Sequence, residues 1–154
     1  MIVAPNSTYA ITGITFVSDE AGARAAKWRD LLAPDEEVRE SNGAFEVYVK
    51  PHTLRWLSPL DYQEQYGLSY KPAPHAYGEM AVIHVLAESL DTAEEQIASL
   101  SRAVACIPDK LTGVDTLIVP PDERDGFMLA ITQKPAEEWL SERVGVTGER
   151  LEFE

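Results

Sequence analysis

A chain of 154 residues with 45% hydrophobic and 25% charged side chains carries enough apolar material for one globular core. Its 13 basic residues are outnumbered by 26 acidic ones, and the net charge of −13 excludes the basic stripe that nucleic-acid phosphates and anionic bilayers require. A single cysteine, Cys106, leaves no intramolecular disulfide and no cysteine-rich metal cluster, and beside Val104 and Ile107 it reads as a small buried hydrophobe.

In chain order, residues 1–9 form a short lead-in. It lacks the basic region and long apolar stretch of a signal peptide, and no apolar run reaches the roughly 18 residues of a membrane helix. A cytoplasmic location is the expectation. Ile11 to Val17 alternates, with Ile11, Gly13, Thr15 and Val17 facing one way and Thr12, Ile14 and Phe16 the other, as in a strand covered on both sides. Ser18 or Asp19 caps the helix predicted over 21–32, whose inner face is Ala21, Ala25, Trp28 and Leu32 and which Pro34 ends. A short strand over 37–40, a turn at Ser41-Asn42-Gly43, a strand over 44–50 and another over 53–58 complete a first module, about 9–59.

Residues 60–79 differ in kind. Tyr62, Tyr66, Tyr70 and Tyr77 sit among Pro59, Pro72 and Pro74, which reads as a connector with one helical turn around 61–66. Such a segment covers a cavity, fills an interface or is an inert linker. A second module, about 80–133, follows. It has a strand over 80–86, a helix over 92–104 capped by Asp91 with Ala93, Ile97 and Leu100 buried, then strands near 103–107, 114–119 and 127–132. The charged turn Asp122-Glu123-Arg124-Asp125 reads as solvated. The tail, 134–154, holds an amphipathic helix around 136–143, whose Trp139 either packs back on the sheet or serves a homodimer interface.

The second module repeats the first: a strand, an acidic cap region, a helix, then strand-like alternation. This order, with Gly13-Ile14-Thr15-Phe16-Val17-Ser18-Asp19 running into Ala25 to Leu32, resembles the vicinal oxygen chelate superfamily and its glyoxalase-like, bleomycin-resistance-like domains. Leu54-Arg55-Trp56-Leu57-Ser58-Pro59 is similar to that family's fourth strand. Asp115 to Pro121 with Gly126 to Ala130 is similar to its closing hairpin. The resemblance covers about 9–133. It implies an α+β fold of two tandem βαβββ modules, a curved mixed sheet around a central cavity.

In metal-dependent members of that family a divalent ion sits on four ligands, one from the first and one from the fourth strand of each module. Matched motif to motif, those places fall here on Gly13, Arg55, Val82 and Ala130. Glycine, valine and alanine offer no ligand atom and arginine repels a cation, so neither a metal nor another cofactor is expected. A shift of two residues brings in His84, which stands alone unless His52, His75 or Glu46 joins it.

Arg55 then becomes the centre of interest, as a fixed cation facing the cavity or as a structural partner of Glu46 or Glu79. Thr15, His84 and Thr132 are expected to line the same cavity, with Tyr70 and Tyr77 as a lid. His84 is the candidate for proton transfer. Trp56, Trp28 and Phe16 are read as core.

Three readings follow. The first is a metal-independent glyoxalase-like domain holding a small polar or anionic organic molecule. The second is a lyase, isomerase or dioxygenase with an unconventional metal site near His84. The third is a non-catalytic module of a larger protein or complex, which the linker-like start Pro5-Asn6-Ser7 suggests. A cavity plugged by tyrosine and leucine would favour the third.

Overall fold

The computed structural model describes residues 4–70, 79–100, 102–108, 113–121 and 127–147, with 143–147 described by backbone alone. β1 (Thr8–Val17), α1 (Ala21–Leu32), β2 (Arg39–Ser41), β3 (Ala44–Val49) and β4 (His52–Leu57) form the first module. After α2 (Pro59–Tyr66) come β5 (Met80–Ala87), α3 (Leu90–Ala98), β6 (Ala105–Pro108), β7 (Asp115–Val119), β8 (Met128–Gln133) and α4 (Ala136–Thr147). The strands make one curved mixed sheet in the order β2-β3-β4-β1-β5-β8-β7-β6. No helix among the described residues is long and apolar enough to cross a membrane.

The repeat in the sequence becomes a pseudo-twofold in space. β1 and β5 pair antiparallel at the centre, with Gly13 opposite His84 and Thr15 opposite Val82. β4 runs parallel to β1 with Arg55 beside Thr15, and β8 runs parallel to β5 with Ala130 beside His84. The axis therefore exchanges Thr15 with His84, Gly13 with Val82, and Arg55 with Ala130.

Strand alternation sends one set of side chains to the helices and the other to the concave face. On the helix side, Ala21 and Ala25 of α1 cover Val47 and Trp56, flanked by Phe16, Phe45, Val49 and Leu54. Phe16 stacks on Trp56 with ring centroids 5.1 Å apart. In the second module, Ala93 and Ile97 of α3 cover Leu117, Val119, Ile131 and Ala87. Truncating Trp56 to alanine would cost about 3–5 kcal/mol on the scale of buried aromatics.

Several expectations are corrected here. Trp28 is 40% and Leu32 48% exposed. The alanines hold α1 so close to β3 that a Cβ on Gly22 would lie 3.2 Å from the Phe45 ring, which leaves no depth for an indole beneath the helix. α1 has Glu20 at its N-cap with no side-chain cap; Ser18 Oγ instead accepts from the Glu20 N–H at 3.0 Å.

α3 starts and stops earlier than its periodicity suggests. Ser89, not Asp91, is its cap, accepting from the Thr92 N–H at 3.1 Å, and Leu100 lies past the helix end at 74% exposure. Cys106 is exposed, because β6 is an edge strand. Its thiol pKa is raised, by slight desolvation first and then by the charges of Asp115 and Glu94.

Trp139 of α4 packs edge-on against Tyr9 of β1 at 5.9 Å, and the Tyr9 hydroxyl donates to the Lys134 carbonyl, so the tail helix turns back onto its own sheet.

Gly13 is the tightest point of the seam. A Cβ there would stand 2.2 Å from the Thr53 carbonyl oxygen, a clash with backbone that no rotamer relieves. We predict that Gly13→Ala lowers stability by at least the 1–3 kcal/mol typical of overpacking, read as a shift in the denaturant midpoint. A wild-type midpoint would show that β1 and β4 do not approach this closely.

Candidate functional site

The concave face carries a polar row on one half and an apolar wall on the other. Glu46, Arg55, Thr15 and His84 stand on the adjacent strands β3, β4, β1 and β5. Arg55 Nε donates to Glu46 Oε2 at 2.9 Å, with side-chain exposures of 12% and 24%. Thr15 is fully buried and its Oγ1 lies 2.7 Å from His84 Nε2. Opposite, Val82, Ile118, Met128 and Ala130 are buried and apolar.

Of the two partners anticipated for Arg55, Glu46 is the one it takes. Glu79 instead faces Arg24, whose Nε is 3.4 Å from its carboxylate. Glu46 leaves the guanidinium incompletely satisfied, because Arg55 Nη1 is buried and has no acceptor. A buried donor without a partner costs about 1–3 kcal/mol.

The connector does more than a lid would. Tyr62, Tyr66, Leu68 and Tyr70 pack onto Val17, Ala44, Leu57, Val82, Met128 and Ala130, closing one end of the concave face. Tyr62 meets Tyr66 at 5.2 Å and Tyr70 at 5.5 Å. Desolvation pushes the Tyr62 pKa up to about 12, helped by Tyr70. The Tyr70 pKa is also raised, by burial first and then by Glu79.

The helix that aims Tyr62 and Tyr66 inward was legible as more than one turn. Ser58 Oγ accepts from the Asp61 N–H at 3.1 Å, Pro59 occupies the first turn, and Gly67 ends the helix with φ of 74°. That start and stop chemistry stands in the sequence as Ser58-Pro59 and Gly67.

The other candidates are placed as follows. Thr132 shares the face of Ala130 but lies one step further along β8, beside Leu86 rather than His84. His52 pairs with Val49 and by alternation belongs to the helix side, opposite to Arg55, so it does not join His84. Tyr77, His75 and the 122–125 turn lie outside the described residues. Thr53, unremarked in the sequence, stands next to Arg55 on the same face and opposite Gly13.

No family model matches this chain, and no curated protein matches it in sequence. Solved structures do. Methylmalonyl-CoA epimerase from Mycobacterium tuberculosis aligns over 91% of this chain and 97% of its own at a TM-score of 0.56 and 11% identity. A hypothetical protein from Bacillus halodurans aligns over 81% and 94% at 0.55 and 9% identity. A Streptomyces coelicolor methylmalonyl-CoA epimerase variant in complex with 2-nitronate-propionyl-CoA aligns over 84% and 97% at 0.54 and 14% identity. The fold is of the vicinal oxygen chelate type.

The metal chemistry of that fold does not fit the residues present. Gly13 has no room for any side chain, Val82 and Ala130 are buried hydrocarbon, and Arg55 is a cation already bonded to Glu46. The row in register with Arg55 is Glu46, Thr15, Val82 and Met128, with His84 one step along β5, so it offers one imidazole and one carboxylate that is already bonded to Arg55. Among the described residues no three His, Cys, Asp or Glu side chains gather as a metal site would need.

Two outcomes are expected. Thr15→Val removes the hydroxyl from His84 Nε2 and lowers stability by about 1–3 kcal/mol, measured by denaturant unfolding. For Tyr62, the folded pKa lies above the ordinary 10.0, so its contribution to stability is complete below pH 10 and is lost as pH rises from there through about 12. Ultraviolet titration should show a tyrosine ionising near 12 that Tyr62→Phe removes. That variant should also flatten the alkaline fall in melting temperature.

Proposed function

We propose that this protein is a metal-independent small-molecule-binding domain that takes a polar or anionic organic molecule on the concave face, with Arg55 as the fixed positive group. The observation that carries the reading is Arg55 Nη1, a buried guanidinium donor with no acceptor. An incoming oxygen would complete it with a charge-assisted bond in a partly dehydrated setting, where such bonds are strong. In this role Arg55 supplies the electrophilic contact that a metal ion supplies elsewhere in the fold, and Glu46 fixes its orientation through Nε. His84 and Thr15 present a polar wall beside it.

A second reading has its own support. The tyrosines packed on Leu57, Val82 and Met128 close part of the concave face, as expected of a non-catalytic module of a larger assembly. Among the described residues the chelating-enzyme reading gains no such support, since His84 meets neither His52 nor Glu46 in the register of the sheet.

The test is calorimetric and NMR-detected titration of the metal-free chain with a library of small organic acids and alcohols, repeated on Arg55→Gln. Saturable binding lost at least tenfold in the variant is the expected result. Binding by neither protein would leave the non-catalytic module as the better reading. Added Zn²⁺, Mn²⁺, Ni²⁺ or Fe²⁺ should leave the melting temperature unchanged, and a saturable rise would overturn metal independence.

A further inference from the structure

We infer that the site at Arg55 selects a small monocarboxylate over a dicarboxylate; this rests on the binding role proposed for Arg55.

The charge selection follows from Glu46. Its carboxylate already takes Arg55 Nε at 2.9 Å, so the pair is neutral as a unit and one buried donor remains. One oxygen of a monoanion completes that donor. A second carboxylate on the ligand would enter with no cation to meet it and with Glu46 close by, in a chain whose net charge is already −13. Like charges at such range in a half-buried site are repelled by an order of magnitude or so in affinity.

The pair is bounded at one end. The Leu57 end of the concave face is packed by Tyr62, Tyr66 and Tyr70, whereas Glu46, Tyr48, Thr53 and Arg55 are all intermediate in burial.

The probes are propionate, malonate and propionamide, which share a three-carbon frame and differ in charge. Each is titrated into the full-length chain by ¹H–¹⁵N NMR, following the amides of Gly13, Thr15, Thr53 and His84. Propionate is expected to shift these amides saturably, at least tenfold more tightly than malonate or propionamide. Glu46→Gln, which keeps an acceptor for Nε but removes the charge, should improve malonate about tenfold.

Malonate binding tighter than propionate in wild type, with both lost in Arg55→Gln, would overturn the monoanion selection and keep the Arg55 site. Binding that survives Arg55→Gln would overturn the reading of Arg55 itself. No shift with any probe would overturn the inference, and the library titration then decides whether the site binds at all.

Discussion

The antiparallel seam between β1 and β5 is the constraint on which the rest of the molecule depends. It joins two modules that could not bury both sheet faces alone, and it does so at the one place where glycine permits β1 to lie hard against β4. Because β4 and β8 hang on either side of this seam in parallel register, its pairing decides which side chains meet. Thr15 reaches His84 across the pseudo-twofold, and Arg55 arrives beside Thr15. A slip of one residue would turn that entire row to the helices.

The two halves of the concave face have diverged in chemistry while keeping their geometry. Arg55 and Ala130 are pseudo-symmetry mates, as are Thr15 and His84, yet one module presents an ion pair and the other hydrocarbon. An apolar wall of this extent needs a cover, and Tyr62, Tyr66 and Tyr70 supply it. Burying each such ring is worth about 1.5–3 kcal/mol. The described part of the connector, up to Tyr70, is thus part of the core, and the raised pKa of Tyr62 is the electrostatic signature of that packing.

A fold shared with the epimerases at 11–14% identity leaves the chemistry open, because function resides in the side chains that the fold presents. Here those side chains include a guanidinium bonded to a neighbouring carboxylate. A divalent ion draws anionic oxygens strongly and with little regard to their number. On the reading proposed for Arg55, a neutralised arginine with one remaining donor would be more selective and far weaker, which suits reversible capture better than bond-breaking.

Much of the architecture was determined by the sequence alone. The repeat of strand, cap and helix, the alternation in Ile11 to Val17 and Met80 to Leu86, and the Asn42-Gly43 turn, both residues at positive φ, are local signals read by backbone physics. The absence of donors at Gly13, Val82 and Ala130 was equally plain, since a residue type without a ligand atom needs no coordinates. What only tertiary structure decided was depth and partnership. Trp28 and Leu100 keep helical period yet lie outside, because close packing through Ala21 and Ala25 and the early end of α3 move the boundary of the core past them. Tyr62 and Tyr66 lie inside because α2 folds back onto an apolar wall assembled from both modules, and Glu46 rather than Glu79 claims Arg55 because β3 and β4 pair in one register. Those outcomes depend on contacts between residues distant in the chain, and local sequence carries no term for them.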